Sequence, residues 1–200
     1  KQVYIERIGA ECAALDVPFF LEPLVYDETL GDEKGAAFAR KRPHYITRTM
    51  EEFSRPRYGV DVLKVELPIN PAFMEGTRAS TGNEVVYTRE EAVEHFRISA
   101  SATTKPLIYL SGGITDEVFC EMLEVTAEAG VQFSGVLCGR ATWQDGIAIY
   151  ANQGREALSQ WLYERGIQNV QRLNQILLRT ATPWWDRYGG RDTIEVINVE

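Results

Sequence analysis

The chain has 200 residues, 44% of them hydrophobic and 25% charged, with no low-complexity stretch, a size and composition suited to one globular domain with a sizeable core. Its formal net charge of -8 provides no basic stripe for nucleic acid, and no apolar run is long enough to cross a bilayer, so neither nucleic acid nor membrane is an expected partner and a small anionic ligand needs local positive groups. Cys12, Cys120 and Cys138 are odd in number and lack CxxC spacing, and residues 1–10 show no charged-then-apolar export signal, so a reduced, cytoplasmic setting is expected.

Along the chain, helical and extended patterns alternate. Residues 3–15 carry apolar side chains at helical spacing, and Pro18 opens the strand-like run Phe19 to Tyr26, which contains Glu22. A polar stretch from Asp27 to Arg42 follows. The pattern then predicts a helix through Thr49 to Ser54, stopped by Gly59, and a strand from Val60 to Pro68 that reads as buried on both faces and holds Lys64 at its centre.

Residues 68–83 read as a long loop. Thr88-Arg89-Glu90-Glu91 has the form of a capping box, and the helix it opens should reach about Ser99, ahead of a third strand at Pro106 to Leu110. Ser111-Gly112-Gly113 is a tight turn, with Thr115 or Asp116 capping a helix to Ala129 that Gly130 closes. A fourth strand is expected over Val131 to Cys138. Beyond Gly139 the pattern predicts helices at Gly154 to Gly166 and Val170 to Thr180, then a period-two alternation from Thr193 to Val199.

Strands separated by crossover helices argue for parallel pairing and an α/β architecture, in which ligands gather at the carboxyl ends of the strands. Four units do not close an eight-stranded barrel. Either the sheet is open or it is half of a barrel, and the apolar interior that a half-barrel exposes favours a single domain over 1–200 whose other half is absent from this sequence. On that reading the barrel units occupy about 1–143 and the carboxyl-terminal helices and tail about 144–200.

Lys64 is the most informative residue. An ammonium inside a strand is costly to desolvate unless it is paired, and one that loses its proton becomes a nucleophile able to form an imine. Strand alternation puts Lys64 and Glu66 on one face and lets Glu22, on the preceding strand, approach the same amine. The next two strands end in Ser111-Gly112-Gly113 and Gly139-Arg140. Turn N–H groups, a hydroxyl, a helix start and a guanidinium together form a phosphate cradle. The plainer readings stand beside these: Lys64 simply ion-paired with Glu22 or Glu66, the glycine turn only starting a helix, and Arg140 in a salt bridge. Cys138 reads as a small apolar filler, the four tryptophans as packing for the carboxyl-terminal helices, and the Glu51-Glu52 and Glu90-Glu91 pairs as charges at helix amino termini.

The segments Phe20-Leu21-Glu22-Pro23-Leu24, Asp61-Val62-Leu63-Lys64-Val65-Glu66, Glu84 to Arg89, Tyr109-Leu110-Ser111 and Gly135 to Trp143 resemble the class I tagatose 1,6-bisphosphate aldolases of tagatose and lactose catabolism, with the likeness running from about Pro18 to Trp184. Gly112 departs from it, standing where a small residue such as Ala is expected, and the tail from Thr193 looks like an addition. The resemblance implies a (β/α)8 TIM barrel of which these are the last four units, the amino-terminal half supplying further catalytic and phosphate-binding groups. It further implies that Lys64 forms a Schiff base, that Glu22 shuttles protons beside it, and that Ser111, Gly112, Gly113, Gly139 and Arg140 hold a substrate phosphate. Glu66, from its place two residues along the strand from Lys64, is a candidate charge partner.

The implied reaction is reversible cleavage of a ketohexose 1,6-bisphosphate, tagatose 1,6-bisphosphate or a stereoisomer, to dihydroxyacetone phosphate and glyceraldehyde 3-phosphate. No metal or other cofactor is expected, because the iminium supplies the polarisation, and His44 and His95 lack ligand spacing. The expected partner is a small sugar phosphate. The alternation from Thr193 leaves a homo-oligomer open beside a solvated tail. The competing functional class is a sugar-phosphate binding module without turnover, or a truncated inactive homologue.

Overall fold

A computed structural model describes residues 1–80, 84–195 and 197 of the chain. Helix α1 (Gln2–Ala14) precedes strand β1 (Phe20–Leu21), and α2 (Ala36–Phe53) leads to β2 (Val62–Val65). Then come α3 (Arg89–Ser101), β3 (Leu107–Leu110), α4 (Asp116–Glu128) and β4 (Val136–Leu137), followed by α5 (Arg140–Trp143), α6 (Asp145–Trp161) and α7 (Ile167–Thr180). The strands form one parallel sheet in the order β1-β2-β3-β4, as the alternation of helix and strand predicts.

Local sequence sets several boundaries. Thr88 and Glu91 close a reciprocal capping box, the Thr88 hydroxyl accepting from Glu91 N–H at 3.2 Å and the Glu91 carboxylate from Thr88 N–H at 2.8 Å. The Thr115 hydroxyl caps α4 by accepting from Val118 N–H, and Gly130 ends that helix at φ +70°.

Other expectations are corrected. The strands β1 and β4 are only two residues long, because the chain beyond them turns into the loops that carry the polar side chains. The helix before β2 begins at Ala36, inside the polar stretch, and runs through Pro43, because Phe38, Ala39, Ile46 and Met50 make one buried face. Proline has no N–H to give the Ala39 carbonyl; the buried Tyr87 hydroxyl donates to that carbonyl instead. Glu51 and Glu52 consequently lie at the carboxyl end of α2, not at a helix amino terminus. There Glu52 pairs with Arg55 and Arg57 at 3.0 and 2.6 Å and accepts from the Tyr58 hydroxyl, which, with Arg57 behind it, holds its carboxyl below the usual range.

At the carboxyl end, α6 starts at Asp145 rather than Gly154, which instead breaks it at φ +82°, and a wide π turn over Leu162–Gly166 carries the chain without a gap into α7. The expected alternation at the end is not a strand where it is described: Arg191–Thr193 is a 3-10 turn, while residues 196 and 198–200 lie outside the described residues. No helix among the described residues is long and apolar enough to cross a membrane.

The two sheet faces differ. Leu63, Val65, Leu107 and Tyr109 point beneath the helices and are buried against Phe96, Phe119 and Phe133. The opposite face, bearing Phe20, Val62, Lys64 and Ile108, is partly open, with Phe20 54% exposed and Leu137 at the end of β4 53% exposed. β2 is therefore buried on one face only, which corrects the expectation of two. The amino-terminal end of the open face carries an apolar cavity of about 570 Å³ between Phe20, Val62 and Ile108 on one side and Trp184, Tyr188 and Ile194 on the other. Trp184 thus covers strand residues rather than packing the carboxyl-terminal helices.

Gly9 and Gly59 let α1 approach the turn before β2: a Cβ added at Gly9 would lie 1.8 Å from the Tyr58 carbonyl oxygen. Gly9→Ala is expected to cost about 3 kcal/mol, since backbone must move to admit the methyl; the shift of the urea midpoint measures it. Tyr87→Phe should cost about 1–2 kcal/mol, because it orphans the Ala39 carbonyl in the core, and should leave the denaturant slope unchanged.

Candidate functional site

Parallel register builds the centre of the site. Phe20 pairs with Val62 and Leu21 with Leu63, so the residue after β1 comes level with Lys64. The Phe19 carbonyl accepts from the N–H groups of Asp61 and Val62, and the Asp61 carboxylate accepts from Phe19 N–H at 2.7 Å, which fixes that register at its start. Glu22 and Lys64 then meet, with Nζ 2.6 Å from Oε2. The lysine side chain is 17% exposed and the glutamate 42%, so the amine is shielded along its stem while the carboxylate faces the opening.

Glu66 does not pair with Lys64. Its Oε1 accepts from Arg42 Nη2 at 2.9 Å and its Oε2 from Val25 N–H at 3.0 Å, while Arg42 Nε also donates to the Leu67 carbonyl at 3.0 Å. Glu66 therefore ties the loop after β1, which carries Glu22, to α2 and to the end of β2. Arg42 is the residue that sequence reasoning missed. It stood at the end of a stretch read as loop, and only an unbroken helix through Pro43 would have aimed it back at β2.

At the ends of β3 and β4 the structure brings the other candidates together. Ser111-Gly112-Gly113 forms a turn closed by Ile114 N–H donating to the Ser111 carbonyl at 3.2 Å. Gly112 and Gly113 sit at φ +61° and +84°, a left-handed pair that a side chain would strain. Among the described residues, neither glycine N–H donates to another backbone carbonyl outside regular elements, and no carboxylate pairs with Arg140. The Arg140 guanidinium lies over Gly113, its nearest atoms 3.8–3.9 Å from where a Cβ would stand. Gly139 precedes it as the first flanking residue of α5. Free N–H groups, a hydroxyl and an unpaired guanidinium in one place suit an anion.

A cavity of about 370 Å³ runs over the ends of β2 and β3, lined by Lys34, Arg42, Glu66, Asn70, Ser111 and Gly113 among others. Positive charge reaches this cavity from Lys34 and from Arg42, the latter paired with Glu66, while the Arg140 guanidinium lies on the far side of the glycine turn, near Gly113. The larger cavity of about 670 Å³ lies elsewhere, on the outer surface of α4 and α7, and contains none of the candidate residues. Cys138 is half-buried, and burial pushes its thiol up to about 11; Cys120 is pushed to about 12 by the same cause. Neither is poised as a nucleophile.

The model of the family described as DeoC/LacD family aldolase matches residues 1–145. Over all 200 residues the chain is 45% identical to the tagatose 1,6-diphosphate aldolase of Listeria monocytogenes serotype 4b (strain CLIP80459), covering 58% of that protein. It is 50% identical over 184 residues to the protein of the same name from Staphylococcus haemolyticus (strain JCSC1435), an alignment that takes in 92% of this chain and 56% of the relative. With the tagatose 1,6-diphosphate aldolase 2 of Streptococcus mutans serotype c (strain ATCC 700610 / UA159) it shares 48% identity over 187 residues, 94% of this chain and 56% of the relative. The chain thus spans somewhat more than half the length of these relatives. With its parallel sheet and crossover helices, the chain belongs to the DeoC/LacD family of TIM-barrel aldolases.

Proposed function

We propose that the chain is the carboxyl-terminal, imine-forming half of a (β/α)8 aldolase that cleaves a ketohexose 1,6-bisphosphate reversibly. The observation that carries this reading is the 2.6 Å approach of Lys64 Nζ to Glu22 at the open carboxyl end of the strands, beside the unpaired donors of Ser111–Gly113 and Arg140. The names of the relatives point to tagatose 1,6-bisphosphate within that substrate class.

In this mechanism the neutral Lys64 amine adds to the C2 carbonyl, and Glu22 protonates the departing hydroxyl as the carbinolamine loses water. The resulting iminium withdraws electrons from the C3–C4 bond. Loss of the C4 hydroxyl proton breaks that bond, releases glyceraldehyde 3-phosphate and leaves an enamine on Lys64. Protonation of the enamine at C3 and hydrolysis, with Glu22 now activating water, release dihydroxyacetone phosphate and restore the amine. The turn N–H groups and the Arg140 guanidinium hold one substrate phosphate, and so fix the carbonyl over Lys64. Glu66, tied to Arg42 and Val25 N–H, positions the loop carrying Glu22 and transfers no proton. The three free thiols suit a cytoplasmic setting for this reaction.

Borohydride reduction in the presence of dihydroxyacetone phosphate tests the reading. A mass adduct on Lys64, lost in Lys64→Met, is the expected result; an intact protein that binds dihydroxyacetone phosphate but gives no adduct is a binding module instead. Glu22→Gln should slow trapping by roughly a hundredfold, because it removes the proton donor and acceptor for dehydration. Phosphate affinity should stay unchanged in the same variant. Equal rates in Glu22→Gln and the parent would remove Glu22 from the proton transfers.

A further inference from the structure

The two turns read as the phosphate cradle leave different strands and share no backbone hydrogen bond among the described residues, yet the Arg140 guanidinium lies 3.8–3.9 Å from where a Cβ on Gly113 would stand. Something must set their spacing. We propose that α7, which lies after the last strand-helix unit, sets it through Asn169 and Arg172, two positioning residues three apart on one face of the helix. The proposal rests on the phosphate-cradle reading above and extends it.

Asn169 reaches the Gly139-Arg140 turn. Its Nδ2 donates to the Thr142 carbonyl at 2.9 Å, and Thr142 in turn donates from its hydroxyl and its N–H to the Gly139 carbonyl, at 2.8 and 2.9 Å. A short continuous chain of hydrogen bonds therefore connects α7 to the residue preceding Arg140. Arg172 reaches the other turn. Its Nη1 lies 3.1 Å from Oδ2 of Asp116, the first residue of α4, three positions after Gly113, and 3.4 Å from Glu117 Oε1. The same guanidinium thus anchors the start of the helix that the glycine turn opens.

Burial argues for a directional role. Asn169 and Asp116 are each 4% exposed, and each keeps one oxygen, Oδ1, without a hydrogen-bond partner among the described residues. A buried polar side chain half satisfied in this way contributes less to stability than an apolar residue of similar volume. What a leucine could not supply at position 169 is the bond to Thr142, and with it the placement of Arg140. At Asp116 the charge gives Arg172 a fixed partner, so both turns take their position from one rigid helix.

The test measures inorganic phosphate binding by calorimetry and compares borohydride trapping of dihydroxyacetone phosphate with trapping of unphosphorylated dihydroxyacetone. Asn169→Leu should weaken phosphate binding roughly tenfold or more and slow trapping of the phosphorylated ketone at low concentration. Trapping of dihydroxyacetone should keep its rate. Equal loss for both ketones, or unchanged phosphate affinity, overturns the proposal. Arg172→Lys, which leaves the buried amide in place and replaces a planar fork by a point charge, must show the same selective loss even if Asn169→Leu fails to fold; without that selectivity the proposal falls. Arg140→Ala separates the two levels of the argument. Unchanged phosphate affinity in Arg140→Ala removes the cradle and the proposal with it, whereas loss there with none in Asn169→Leu and Arg172→Lys removes only the role of α7.

Discussion

Parallel pairing of β1 with β2 is the constraint on which the site depends. Two residue pairs set the register, and they bring Glu22 level with an amine on the neighbouring strand. Because side chains alternate, a slip of one residue would turn Lys64 under the helices, into the layer now filled by Leu63 and Val65. The short strand β1 could not hold that register by its own ladder. The Asp61 carboxylate on Phe19 N–H holds it at one end, and Glu66 on Val25 N–H holds it at the other.

These two carboxylates illustrate a division of labour among acidic groups in one sheet. Asp61 and Glu66 use their oxygens on backbone N–H groups, so they shape the loop, and the Arg42 guanidinium offsets the cost of shielding Glu66 from water. Glu22 alone is left facing the opening beside the amine. In the proposed reaction it is the acid and base because the other two are committed to structure. The proposed phosphate cradle follows the same logic in reverse: groups left without a partner among the described residues, the glycine N–H groups and the Arg140 guanidinium, are the ones available to a ligand.

The open strand face explains why the fold is unusual for an isolated sheet. Helices cover one side, while on the other Phe20 and Leu137 stay exposed and, among the described residues, Trp184, Tyr188 and Ile194 line a cavity at the amino-terminal end. In a family of closed barrels this face lines the interior. This chain spans little more than half the length of its relatives.

Much of this was legible in the residues themselves. The capping box at Thr88, the stop at Gly130, the alternation of helix and strand and the shared face of Lys64 and Glu66 are signals of short range, written within a few positions of where they act. The same sequence left open whether Lys64 meets Glu22 or Glu66, because both carboxylates satisfy strand alternation. Tertiary structure decided it: Arg42, 24 residues before Glu66 and borne on a helix whose continuation through Pro43 depends on burying one face, claims that carboxylate. It likewise decided that α7 reaches the segments beside both glycine turns, across 27 residues to Thr142 and 56 to Asp116. Local periodicity specifies which way a side chain points, but the choice among partners is made by distances that exist only after the helices have docked on the sheet.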